Sequence, residues 1–240
     1  MVEEVKNISG TLPSLSIVIP TLDEASRLPR TLEALSEAAS RFAMEILVAD
    51  GGSADGTAAL AAAAGARVVA APRGRGAQLA AGVAAARGRW VLLWHADTRP
   101  EPGWTTAAAA FCADPANARR AAHFRFALDS AAPRARLLER AVAWRCRVLG
   151  LPYGDQGLLI GADFLAELGG VAPLPLMEDV ELVRRIGRRR LVALAPAAVT
   201  SAEKWERQGW TRRSARNLLC LSLYLAGVPP QRIARLYGGR

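Results

Sequence analysis

The sequence predicts an α/β fold: a mostly parallel central sheet flanked by helices, continued by a helical C-terminal arm. Three observations carry this. Short apolar runs alternate with helical segments through the first half of the chain, the pattern of parallel strands joined by right-handed crossovers. The run Trp90–Trp94 is apolar throughout, as a strand buried on both faces must be. Beyond Pro115 the alternation gives way to longer helical stretches, two of them at the C-terminal end.

Ser14–Pro20 is the first strand, ended by Pro20, and Thr21-Leu22-Asp23-Glu24 is the loop after it. Leu28–Ser40 has amphipathic helical spacing, with Pro29 in the first turn, where proline is tolerated. Glu45–Ala49 is a second strand, closed by Asp50-Gly-Gly-Ser-Ala-Asp-Gly56, and Thr57–Ala64 is a helix. Arg67–Ala71 is a third strand, and the loop Pro72-Arg-Gly-Arg-Gly76 leads into a helix over Gly76–Ala86. The fourth strand, Trp90–Trp94, stops at His95-Ala96-Asp97; Pro100 and Pro102 prevent its continuation as a central strand, and a helix starts near Gly103. Past Pro115, Ala122–Leu128 alternates and predicts an antiparallel strand, Arg134–Leu149 a basic amphipathic helix, and Tyr153–Gly161 a strand-like segment. Asp163–Leu168 is a short helix ended by Gly169-Gly170, and Glu178–Arg188 a helix whose acidic start suits its dipole. Thr211–Ala226 and Pro230–Tyr237 are terminal helices. No internal repeat or low-complexity linker interrupts the chain, so residues 1–240 read as one domain.

A hydrophobic content of 51% excludes a disordered protein. The net charge of +9 invites a nucleic-acid partner, but the only lysines are Lys6 and Lys204, the arginines are dispersed, and aromatics make up 6%. No basic stripe with stacking aromatics results, so no nucleic acid is expected. Cys112, Cys146 and Cys220 are far apart, odd in number and without C-x-x-C spacing, which predicts reduced thiols and a cytoplasmic protein. The N-terminal stretch, with Glu3 and Glu4 ahead of Lys6–Pro13, lacks the charged and apolar regions of a signal peptide, and no apolar run is long enough to span a membrane.

The acidic groups gather where a ligand would bind. Asp23 and Glu24, Asp50, and Asp97 each follow a predicted strand, and the carboxyl ends of parallel strands border the crevice in which open α/β sheets bind ligands. Asp50-Gly-Gly-Ser-Ala-Asp-Gly-Thr57 has the small residues for a tight turn and for close approach to a ligand. The Asp50 carboxylate suits a base edge carrying an N–H; Asp23 or Glu24 suits a ribose. Each is equally a turn or N-cap carboxylate taken alone. In extended geometry His95 and Asp97 leave one face, where both can share a divalent cation; strand-end capping is the plain alternative. Arg73-Gly-Arg-Gly76 lacks the third glycine of a dinucleotide loop, since Leu79 stands there. Arg73 and Arg75 suit phosphates, or a solvated turn.

The ordered set Ile17-Val-Ile-Pro-Thr-Leu-Asp-Glu24, Val48-Ala-Asp-Gly-Gly-Ser-Ala-Asp-Gly-Thr57, Arg73-Gly-Arg-Gly-Ala-Gln78 with Gly82, His95-Ala-Asp97 and Met177-Glu-Asp179 resembles the family 2 glycosyltransferases of the GT-A fold. Within them it is similar to compact bacterial members named for arsenosugar, radical-SAM/selenodomain or carotenoid-glycosylation association. The resemblance runs from about Leu15 to Tyr237; its motifs are specific through their order and spacing. It implies a Rossmann-like GT-A domain with a nucleotide-binding half over about 14–115 and an acceptor half with the helical arm over about 116–240.

It also implies a nucleotide-diphosphate sugar donor, typically a UDP-sugar, a hydroxyl acceptor, and a divalent metal, Mn²⁺ or Mg²⁺, on an Asp-x-Asp motif. Asp97 matches the last Asp of that motif and His95 replaces the first. His95 either touches the metal, favouring Mn²⁺, or contacts ribose or phosphate only. Nucleotide contacts are implied for Pro20, Thr21, Asp23, Glu24, Asp50, Gly51, Arg73, Arg75, Gln78, His95 and Ala96. Asp179 is implied as general base of an inverting single displacement, with Glu178 second; a helix-capping Asp179 is the plain reading. Asp155 and Gln156, in Tyr153-Gly-Asp-Gln-Gly157, are candidates for reading sugar or acceptor hydroxyls.

The C-terminal arm carries Trp205, Trp210, Arg212, Arg213 and Arg216 ahead of Leu218–Ala226, which is apolar nearly all round. Such a helix is expected to be buried. Its basic, Trp-bearing edge also suits peripheral contact with an anionic membrane, at the inner face of the cell membrane. Two rival functions stand beside the transferase. A sugar-phosphate nucleotidyltransferase needs a Gly-rich, basic loop after the first strand, which Pro20–Glu24 does not provide. A non-catalytic nucleotide-sugar binder would tolerate the degenerate His95 motif.

Overall fold

The structure is a computed structural model that describes residues 14–238; the expectation drawn from Glu3, Glu4 and Lys6–Pro13 lies outside them. The first half follows the predicted alternation: β1 (Ser14–Thr21), α1 (Leu28–Ser36), β2 (Ala43–Asp50), α2 (Thr57–Ala63), β3 (Arg67–Ala70), α3 (Arg75–Ala85) and β4 (Trp90–Leu93). A short β5 (Thr98–Pro100), α4 (Trp104–Ala113), β6 (Ala121–Leu128), α5 (Pro133–Leu149), β7 (Leu158–Gly161) and α6 (Ala162–Glu167) come next. The chain ends with α7 (Glu178–Ile186), β8 (Leu191–Thr200), α8 (Glu203–Gln208), α9 (Trp210–Leu225) and α10 (Pro230–Gly238).

All eight strands join one sheet in the order β3-β2-β1-β4-β7-β6-β8-β5. β3, β2, β1 and β4 are parallel. β7 runs antiparallel to both β4 and β6, and β8 is parallel to β6. Two reversals restore the original direction, so β8 ends on the same side of the sheet as β4. That topological fact brings the segment after β8 to the segment after β4.

Alternation divides the core between the two faces. Leu15, Ile17 and Ile19 of β1 face Leu28, Leu32 and Leu35 of α1 and Trp104, Ala108 and Phe111 of α4. Val18 faces the opposite layer with Leu79 of α3, Phe164 of α6, and Leu182 and Ile186 of α7. Trp94, Trp104 and Phe124 are fully buried and meet edge to face, with centroids 5.3 Å (Trp94–Phe124) and 6.4 Å (Trp104–Phe124) apart. Gly82 lets α3 lie against β1, because a Cβ there would come within 2.3 Å of Val18 Cγ1.

Three features depart from the sequence reading. β8 is a ten-residue strand in a stretch with no predicted element. It is irregular where Ala193–Ala197 passes His123–Arg125, and Pro196, which has no N–H to give a ladder, sits in that irregularity. The strand-like segment Tyr153–Gly161 is a strand only over Leu158–Gly161, since Gly154–Gln156 forms a 3-10 turn. The arm is not wholly buried: on α9 only Cys220 and Leu221 are buried, while Leu218, Leu219 and Leu225 are exposed. No helix among the described residues is long and apolar enough to cross a membrane.

Candidate functional site

The loops after β1 and β2 are tied to one another before any ligand is considered. Asp23 takes a left-handed conformation (φ 55°), which Asp tolerates better than most residues. Its N–H donates to Ser53 Oγ (2.9 Å) and its Oδ1 accepts from Ala54 N–H (2.8 Å). The Asp50 carboxylate accepts from Thr21 Oγ1 (3.0 Å), Ser53 Oγ (2.5 Å), Gly52 N–H (3.0 Å) and Ser53 N–H (2.9 Å). These donors outweigh burial and hold its pKa below the usual value. Four donors fill the acceptor positions of a carboxylate, so Asp50, expected at a base edge, is here the organiser of its own turn. Gln78, also expected at the nucleotide, is buried behind Gly51; its amide N–H₂ donates to the Thr21 and Ala49 carbonyls. Gly51 must be small, because a Cβ would meet Gln78 Nε2 at 2.8 Å. Pro20 is half-buried, Thr21 is buried under Asp50, and Arg73 stands exposed at the rim.

A cleft opens at the ends of β4 and β8, lined by Arg75, His95, Asp97, Asp155, Asp179 and Lys204 among others. Ala96 is buried beside it, and its carbonyl accepts from Thr31 Oγ1 (2.7 Å), which fixes the backbone between His95 and Asp97. Burial, reinforced by Arg75, lowers the His95 pKa to about 4, so the ring is neutral at physiological pH. Its Nε2 is buried without a partner and faces Gly154, where a Cβ would lie only 2.7 Å away. Asp97 Oδ2 accepts from Lys204 Nζ at 3.0 Å. Burial would raise the Asp97 carboxyl, but Lys204 and His95 leave its pKa below the ordinary value. Glu24 is shifted the other way by burial, with Asp97 adding to it and Lys204 and Arg27 opposing.

The N-terminus of α7 supplies the other wall. Met177 precedes it with φ 66°, the one non-glycine residue besides Asp23 with positive φ among the described residues. Backbone strain of this kind persists where the surroundings hold it, and it stands directly before the two adjacent carboxylates, which the helix then points in different directions. Asp179 faces the cleft, its Oδ2 accepting from Gly154 N–H (2.8 Å). Glu178 turns inward, 1% exposed, with neither oxygen hydrogen-bonded and Arg75 Nη1 at 3.4 Å from Oε1. Burial, opposed by Arg75 and assisted by Asp179, pushes its pKa up to about 7. Glu178, expected as a second catalytic carboxylate, is not among the residues lining that cleft but lines the adjoining pocket with His95 and Asp179.

Asp155 lines the cleft with Oδ1 unpartnered, and burial raises its pKa to about 6. Gln156, expected beside it at a sugar, is 1% exposed; its Oε1 accepts from Tyr153 N–H and Arg145, and its amide donates to the Phe124 carbonyl at 3.0 Å. It braces the turn that presents Asp155. Arg145 stacks 3.4 Å from the centroid of Tyr153, completing that brace. Lys204, Arg145 and Tyr153 were not singled out in the sequence. The one available signal was for Lys204, one of only two lysines in the chain.

Among the described residues no three His, Cys, Asp or Glu side chains form a metal-ligating group. An ion delivered with a diphosphate needs less, commonly one or two carboxylates alongside phosphate oxygens and water. Asp97, at the mouth of the cleft, supplies one carboxylate, so the residues fit an ion of that kind and not a self-contained metal cage.

The model of glycosyl transferase family 2 matches residues 16–124, from β1 into β6. The structure is similar to that of glucosyl-3-phosphoglycerate synthase from Mycobacterium tuberculosis. A complex of that protein with Mn²⁺, UDP and glucosyl-3-phosphoglycerate matches with TM-score 0.59 and 21% identity over 90% of this chain and 81% of that one. A complex with phosphoglyceric acid gives TM-score 0.60 and 22% identity over the same shares. A third, with Mn²⁺, UDP-glucose and phosphoglyceric acid, gives 0.59 and 20%, again over 90% and 81%. No curated protein sequence matches this chain. The likeness bears out the GT-A type of α/β fold expected from the sequence.

Proposed function

We propose that this chain is a glycosyltransferase that moves a sugar from a nucleotide-diphosphate donor, a UDP-sugar, to a hydroxyl acceptor with inversion. The observation that carries the reading is the meeting of four residues in one cleft: Arg75 and Asp97 from the segment that matches the family model, Asp179 and Lys204 from the segment beyond it. The similar mycobacterial protein is described with Mn²⁺ and UDP-glucose, which supports the same class of donor here.

In this reading Asp23, Glu24 and Arg73 border the nucleoside, and Asp50, Gly51 and Gln78 hold the loop that receives it. Neutral His95 contacts ribose or phosphate. Asp97 is the protein ligand for a divalent ion, which would offset the charge of the leaving diphosphate when bound. Arg75 adds a fixed positive charge to the same side of the cleft. Asp179, oriented by Gly154 N–H, takes the proton of the acceptor hydroxyl as it attacks the anomeric carbon. Asp155, which lines the cleft as well, borders the acceptor. Calorimetry tests the donor half: UDP binds, and binds more tightly with Mn²⁺ than with EDTA. Equal affinity in both removes the metal assignment.

A second feature supports peripheral attachment to an anionic membrane. α5 exposes Leu137, Trp144 and Val148, spaced four and seven residues along one helical stripe, between Arg134, Arg140 and Arg147. Leu218, Leu219 and Leu225 of α9 are exposed as well, and an apolar groove between the two helices reaches Asp155. An apolar stripe with basic flanks suits an interfacial position, consistent with a cytoplasmic enzyme working at the inner membrane face. The two tryptophans expected at this edge do not form it: Trp205 is buried against Phe126, and Trp210 packs beside it.

A further inference from the structure

We propose that Lys204 is a protein-borne cation for the donor diphosphate, held on Asp97 until a divalent ion takes that carboxylate. The proposal rests on the donor reading above and adds to it a residue and an exchange of partners.

Lys204 Nζ lies 3.0 Å from Asp97 Oδ2, with the lysine side chain 41% exposed and the aspartate 12%. The pair therefore sits at the boundary between cleft and solvent, where an ammonium can leave without being stranded in the interior. Its backbone, in contrast, is pinned on both sides. Glu203 binds Arg27 Nη2 at 2.6 Å, Ala202 N–H donates to Asp129 Oδ1 at 2.7 Å, and Trp205 is buried. Only the four-carbon stem is free to move.

The residue type matters. Of 31 lysines and arginines in the chain, two are lysine, and Lys204 is the one among the described residues. A guanidinium at this place would grip Asp97 through a planar fork, whereas an ammonium is a compact point charge that exchanges partners readily. Without Lys204, Asp97, Asp155 and Asp179 would present a carboxylate-lined wall to an incoming diphosphate, offset only by Arg75 and Arg213. With Asp97 given over to an ion, the ammonium has lost its partner, and phosphate oxygens in the same cleft are the acceptors available for charge-assisted hydrogen bonds.

Calorimetry on the whole chain, wild type against Lys204→Gln and Lys204→Arg, tests this with UDP and uridine, each in EDTA and in Mn²⁺, and with Mn²⁺ alone. In Mn²⁺, where Asp97 is given over to the ion, Lys204→Gln should weaken UDP binding by about ten- to a hundred-fold, the range for hydrogen bonds to charged groups, and by less in EDTA, where the ammonium stays on Asp97. Uridine binding should be unchanged, and Lys204→Arg, whose guanidinium keeps its grip on Asp97, should recover little of the loss. Mn²⁺ alone should bind Lys204→Gln more tightly than wild type, because Asp97 has been released. Equal UDP affinity of wild type and Lys204→Gln in Mn²⁺ overturns the phosphate role. Mn²⁺ binding that is unchanged or weaker in Lys204→Gln overturns the exchange at Asp97. Failure of wild type to bind UDP even with Mn²⁺ removes the donor reading itself, and this proposal with it.

Discussion

Glu178 and Asp179 are neighbours in sequence and opposites in environment. Glu178 is buried with its pKa raised from 4.5 to about 7, so between those values the folded chain holds a proton that the unfolded chain has lost. Stability therefore falls as pH rises through that window, by at most about 1.4 kcal/mol per pH unit for one proton. Glu178→Gln should flatten the dependence of Tm on pH between about 4.5 and 7; a slope equal to wild type would mean that Glu178 titrates normally. The sequence showed both carboxylates but not which would turn inward, because that depends on where α7 begins, after the left-handed Met177, and on the partner Arg75. The same limit applies to Asp50, Gln78 and Gln156. Their positions near the site were legible, yet their polar atoms are consumed by main-chain and loop partners that no spacing rule reveals. Asp97 and Asp179 stand at the cleft as the motif order implied.

Among the elements, the parallel layer β1–β4 was readable because its strands are short, mostly apolar runs, each closed by a proline, a glycine-rich turn or an acidic loop. β8 was not, since Pro196 interrupts the run and alanine supplies little alternation. Losing β8 meant losing α8, and with it Lys204. The arm misled for a different reason. Apolar residues all round α9 predict burial, but burial needs a covering layer, and the surface shared by α5 and α9 has none among the described residues. That exposed surface makes a direct prediction: the chain should co-sediment with anionic liposomes at low salt, and less so as salt screens the arginines. Replacing Leu137 and Trp144 by Ser should reduce co-sedimentation without lowering nucleotide affinity. Absence of co-sedimentation at low salt removes the membrane reading.

At the scale of the whole molecule, a sheet that reverses direction twice between β4 and β8 returns α8, with Lys204, to the cleft that α7 lines with Asp179. In the proposed reaction donor and acceptor functions rest on different residues, so they should fail separately. The direct measurement is release of UDP from a panel of UDP-sugars in Mn²⁺, compared among wild type, Asp97→Ala and Asp179→Asn. Wild type should release UDP from at least one sugar donor, slowly with water and faster once an acceptor is supplied. Asp97→Ala should raise the apparent donor constant and slow release. Asp179→Asn should keep donor affinity while turnover to an acceptor falls by about 10²–10⁴, the usual loss of a positioned base. No release from any donor by folded wild type, or an Asp179→Asn variant that transfers within a few-fold of wild type, would contradict the account.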